Sequence, residues 1–139
     1  DTMNKGILLG LALVALPAVA SEGDLEYREH VYHAIGGHMQ AMADILQQKV
    51  PHTGHLALHA NAMADLAPIA KTLFPAGSEG GKALPDLWAN PDDFAERMGK
   101  FEEAATGLKA AVASGEGVGP AFQSLGQACK SCHDKYREE

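Results

Sequence analysis

Near the C-terminus, the run Cys129-Lys130-Ser131-Cys132-His133 holds the residues best suited to covalent chemistry. On a helix, thiols at i and i+3 share one face, so both can add to the two vinyl groups of a single porphyrin while the adjacent histidine projects towards the iron. Cys-x-x-Cys-His is the attachment pattern of c-type haem. Other chemistries also use paired thiols. Thioredoxin-like exchange belongs beside a βαβ pattern, which is missing here. Structural zinc needs four ligands, commonly from two cysteine pairs, and the chain has 2 Cys in all. A plain disulfide is the bland alternative for an exported chain. The following histidine and the helical setting favour one covalently bound haem c, with His133 as the axial ligand to iron.

The elements that must position this motif are helical. Apolar residues recur with helical period in four segments and nowhere show the strict alternation of a strand, which predicts an all-α, antiparallel four-helix bundle with the haem inside it near the C-terminal helix. The first helix is predicted from Gly23 to Lys49, where Leu25, Arg28, Tyr32, Ile35, Met39, Met42 and Leu46 form an inward seam. Arg28 is the exception on that seam, and a buried guanidinium predicts an anionic partner. A second stripe of Val31, Ala34, His38, Ala41 and Ile45 is expected to face another subunit.

The second helix is predicted from Thr53, a candidate N-cap, to about Phe74, with a kink at Pro68. Residues 75–89 read as a surface loop pinned by Trp88, the only tryptophan. Asn90 as N-cap and Pro91 as first residue open the third helix, with Asp92 and Asp93 near its positive end. After a turn at 115–119, the fourth helix puts Val118, Phe122, Leu125, Cys129, Cys132 and Tyr136 on one inward stripe.

Residues 1–20 have the parts of a secretory signal. Lys5 precedes an apolar run from Ile7 to Leu16, and Ala18-Val19-Ala20 is a small-residue cleavage site before Ser21. The run is shorter than the about 20 residues that cross a bilayer. Asp1 and Thr2 precede Met3, the expected initiator, and are expected to be additions to the natural chain. Residues 21–139 are then one domain in the periplasm. Asp1 and Lys5 cancel, so the formal charge of that domain stays at −7, which argues against nucleic acid as a partner.

Several runs besides the haem motif carry a resemblance. They are Tyr27-Arg28 with Tyr32, Phe74-Pro75-Ala76-Gly77-Ser78-Glu79-Gly80-Gly81, Pro85-Asp86-Leu87-Trp88 leading to Phe94, and Cys129 to Arg137. The chain resembles the class II cytochromes c, and within them the cytochrome c′ branch. That resemblance implies a haem inside the bundle with His133 proximal and Tyr32 over the other iron face. In the low-spin c-556 branch the position of Tyr32 is a methionine that ligates iron, so Tyr32 implies five-coordinate iron. Met39 lies about 10 Å further along the helix axis and cannot take that place. Met63 and Met98 read as core filler. The resemblance also gives Arg28 a haem propionate as its anion, places Glu29 and Lys82 near the haem edge, and sets Arg137 beside the proximal histidine.

The function this implies is uptake of small gases, NO and CO, possible NO scavenging, and no enzymatic turnover, since no nucleophile and base pair up. The alternative is a six-coordinate electron carrier of the c-556 type with an unidentified redox partner protein. A homodimer through the first two helices is expected. His55 and His59 share a helical face that could hold a divalent metal, although a solvated face is the plainer expectation. His30, His33 and His38 read as surface or interface residues.

Overall fold

The computed structural model describes residues 20–139. Its elements are α1 (Glu22–Leu46), a 3-10 turn (Thr53–His55) running into α2 (Leu56–Ala70), a single-turn α3 (Asp86–Ala89), α4 (Pro91–Ser114) and α5 (Val118–Tyr136). The four long helices form the predicted bundle, α1 packing on α2, α2 on α4 and α4 on α5. The expected signal segment lies outside the described residues, apart from Ala20. Among the described residues, no helix is long and apolar enough to cross a membrane.

Helix α1 is fixed at both ends by capping. The Ser21 hydroxyl accepts from the Asp24 N–H at 3.2 Å, while the Asp24 carboxylate accepts from the Ser21 N–H at 2.8 Å, a reciprocal capping box. At the far end Gln48 N–H donates to Ile45 O at 3.0 Å and Lys49 N–H to Asp44 O at 2.9 Å. This is a Schellman closure, and it stops the helix before the predicted Lys49. The residue that turns left-handed there is Gln48, at φ 58°, in a place that glycine usually fills.

Three other expectations need correction. Thr53 opens the 3-10 turn and caps nothing through its side chain. Pro68 falls in the last turn of α2, and the helix stops at Ala70, short of the predicted Phe74, with nothing beyond to bend. Asn90 precedes α4 as predicted, but its side chain turns back to donate to Asp86 O at 2.9 Å instead of capping.

The core runs the length of the bundle, and Met42, Met63, Leu108 and Leu125 are fully buried. Met63 and Met98 are the core filler that was predicted. On the second stripe of α1, Val31 and Ile45 are buried within this one chain, at 9% and 5% exposure, while Ala34 is exposed. His38, on the same stripe, meets His59 of α2.

Candidate haem-attachment site

The C-terminal half of α5 turns Cys129 and Cys132 inward, where both pack against the core as free, part-buried thiols. Burial pushes the Cys129 thiol up to about 11, and the neighbouring Cys132 adds to the rise. Burial raises Cys132 as well, against the pull of Arg97 and with the push of Asp93. Both sulfurs are therefore protonated at neutral pH. His133 is exposed as a residue, but its ring is partly desolvated. That desolvation first, and the Arg137 charge second, hold it below the ordinary histidine value against Asp134. Arg137 Nη1 lies 3.4 Å from His133 Nδ1.

Across from the thiols stands Tyr32 of α1. Burial raises its hydroxyl far above the ordinary tyrosine value; Cys132 and, less strongly, Cys129 add to the rise, while Arg28 opposes it. The hydroxyl donates to Ala70 O, at the end of α2, at 3.2 Å. Its ring begins an edge-to-face chain, with centroids 5.6 Å from Tyr32 to Phe74, 5.0 Å from Phe74 to Phe94 and 5.9 Å from Phe94 to Tyr136. This chain joins α1 to the end of α5. The two helices themselves scarcely approach one another at the backbone.

Arg28 is buried at 5% exposure, and its acceptors are neutral. Nη1 donates to Leu73 O at 3.1 Å, Ser78 O at 2.9 Å and Ser78 Oγ at 3.3 Å, and Nη2 donates to Gly80 O at 2.9 Å. The guanidinium also sits 4.7 Å from the centre of the Phe74 ring. These acceptors are backbone carbonyls, which the loop supplies by turning its peptide groups inward, and the Ser78 hydroxyl. Gly81 makes this possible: at φ 63°, a Cβ there would lie 3.2 Å from Glu29 Oε1. Trp88 Nε1 donates to Pro75 O at 3.0 Å and pins the same loop, as expected.

Beyond Gly81 the loop closes onto the C-terminus. Leu84 N–H donates to Tyr136 O and Glu138 N–H to Lys82 O, both at 2.8 Å, with Ala83 bridged to Arg137. The loop is therefore a strap from Arg28 on α1 to the end of α5. It brings Glu29, Lys82 and Arg137 to the same end of the bundle as Arg28, Tyr32 and the thiols.

Sequence reasoning missed a second support. Arg97 of α4 donates through Nε to Asp93 Oδ2 at 2.8 Å and through Nη1 to Ser131 O at 2.8 Å and Ser131 Oγ at 2.6 Å. Asp93 Oδ2 also accepts from Lys135 Nζ at 3.1 Å and from the Tyr136 hydroxyl. These donors hold the Asp93 carboxyl well below the usual carboxylate range. The i, i+4 spacing of Asp93 and Arg97 was the available signal. Asp93 had been read only as a charge at a helix start.

Two unpaired thiols on one inward face, a neutral imidazole beside them and a seam between α1 and α5 without close backbone packing together fit a flat group joined through two sulfurs. A family model described as Cytochrome C' matches residues 24–137. The chain is 33% identical to a cytochrome c' of Pararhodospirillum photometricum over 84% of this chain and 98% of that one. It is 35% identical to a cytochrome c-556 of Agrobacterium fabrum over 98% of this chain and 94% of that one. Its fold superposes with a TM-score of 0.80, at 25% identity and covering 88% of this chain and 100% of the other, on a nitric oxide complex of a mutant cytochrome c prime from Alcaligenes xylosoxidans.

Proposed function

The chain belongs to the cytochrome c′ family, whose cofactor is covalent haem c, and on that premise we propose that it is an exported, five-coordinate, high-spin cytochrome that takes up NO and CO. When bound, the haem supplies an iron with one free coordination position for a small neutral gas. Cys129 and Cys132 would hold it through thioether bonds, and the neutral His133 imidazole would ligate its iron. Arg137 places a positive charge beside that imidazole and lowers its basicity. Arg28 and the strap it holds, with Glu29 and Lys82, frame the polar edge of the site. Tyr32 and Ile35 would crowd the gas-binding side of the group and select by size. Processing after Ala20 would deliver the domain to the periplasm.

Tyr32 is the observation that carries this reading. It stands opposite both cysteines and spends its hydroxyl on Ala70 O, so it offers neither a thioether for iron nor a free proton for dioxygen. On this reading the chain is a binding and electron-transfer protein and not an enzyme. The c-556 relative favours the second reading, a six-coordinate electron carrier. The absorption spectrum of the dithionite-reduced protein with and without CO separates the two. A broad high-spin spectrum that sharpens with CO is expected; a sharp low-spin spectrum indifferent to CO would select the electron carrier.

A homodimer through α1 and α2 belongs to the same proposal, supported by the exposed Leu58 on α2, at 64%, and Ala34 on α1. Sedimentation of Ala34→Glu against wild type tests it, and an unchanged mass would rule this interface out.

A further inference from the structure

We propose that His38 and His59 form a second metal site on the α1–α2 face that takes a borderline divalent ion, Zn2+ or Cu2+. His38 Nδ1 and His59 Nδ1 are 2.8 Å apart, with ring centroids at 5.1 Å and planes inclined by 58°. At this distance one ring N–H donates to the other ring nitrogen, so two nitrogens from different helices face one another. A tetrahedral ion at about 2.05 Å from each nitrogen sets them roughly 3.3 Å apart. The rings therefore need to part by only about half an ångström, which side-chain rotation supplies.

His55, four residues before His59, lies in the 3-10 turn ahead of α2 and is not part of the pair. His52 stacks on His55 at 4.9 Å and 15°, which restricts the His55 ring. Among the described residues, none of these four imidazoles forms a salt bridge with a carboxylate, so no ion pair accounts for their gathering.

Ligand type selects the ion. Imidazoles without carboxylates suit zinc, copper and nickel and discriminate against magnesium and calcium. The formal charge of −7 favours the approach of a cation. His38 is about 9 Å further along α1 than Tyr32, so this site is separate from the thiols. Water completes the coordination, and the ion clamps α1 to α2.

The test is calorimetric titration of the haem-loaded protein with ZnCl2, following the haem absorption spectrum in parallel. One ion per chain is expected, with an unchanged haem spectrum, and H38Q or H59Q should each weaken binding by about tenfold or more, while H30Q binds as wild type. Circular dichroism reports whether each variant folds, and either H38Q or H59Q alone suffices. An H38Q/H59Q double variant that binds as wild type, or no heat with either Zn2+ or Cu2+, would overturn the site.

Discussion

Arg97 of α4 grips Ser131, the residue immediately before Cys132, by both its carbonyl and its hydroxyl. The cysteine pair is thereby referenced to a neighbouring helix as well as to its own. Ser131→Ala removes one acceptor and should cost about 1 kcal/mol in denaturant unfolding. Arg97→Lys keeps the charge but cannot reach Asp93 and Ser131 together, because an ammonium lacks the guanidinium fork. It should lower the yield of covalently attached haem, measured by pyridine haemochrome assay, more than Ser131→Ala does. Equal yields in all three proteins would remove Arg97 from the positioning of the motif.

Arg28 is a cation buried among carbonyls, and those carbonyls have turned inward to meet it. Arg28→Leu leaves them without donors and should cost about 3 kcal/mol. Arg28→Lys should recover only part, since one ammonium cannot serve Leu73, Ser78 and Gly80 at once. Limited proteolysis is the direct check. In Arg28→Leu the first cuts should fall within residues 75–84, because the strap has lost its anchor on α1.

Gln48 closes α1 in a left-handed conformation that a side chain with a Cβ adopts at a cost. Gln48→Gly relieves that strain but frees the unfolded chain, so the net gain should be about 0.5 kcal/mol. Thermal melting should show a small rise in Tm. A fall would mean that the Gln48 side chain contributes more than its backbone strain removes.

Asp93 is held below the ordinary aspartate range by Arg97 first, then Tyr136 and Lys135. A carboxyl whose folded pKa is depressed stabilises the native state fully above its unfolded value, about 3.9, and loses that contribution as pH falls through its folded value. Asp93→Asn should therefore melt below wild type at neutral pH, with the gap closing in strong acid. A gap that stayed constant down to that acid range would show that the interaction is one of packing and not of charge.

The inward stripes were legible because they rest on side-chain period alone: the cysteines, Leu125 and Tyr136 on α5 fall where the spacing put them. The bundle order followed from segment number and loop length. Helix ends were less legible. Gln48 breaks the glycine preference, and α2 stops at Ala70 although the pattern of apolar residues continues to Leu73 and Phe74. The site was half visible. Cys129, Cys132 and His133 announce themselves by type and spacing, but the neutral carbonyls that satisfy Arg28 are backbone atoms of a loop, and no side-chain pattern marks them. The meeting of His38 with His59 was equally hidden, because each lies on a different helix and only the packing of α1 on α2 brings them together.

On the proposed function, Tyr32 decides between gas binding and electron transfer, and a single substitution can put that to the test. The family resemblance implies a methionine at its position, four residues after Arg28, in the low-spin branch. Tyr32→Met replaces a hydroxyl that donates to Ala70 O with a flexible thioether and leaves that carbonyl to the end of α2. The loss of the hydrogen bond should cost about 1 kcal/mol, small enough for the bundle to fold. If Tyr32 is what keeps the sixth position open, the reduced variant should become low-spin and its response to CO should weaken or vanish, while Tyr32→Phe stays high-spin and binds CO as wild type does. A Tyr32→Met protein that remained high-spin would mean that this position does not reach the iron, and the assignment of the gas-binding face to Tyr32 and Ile35 would fall with it.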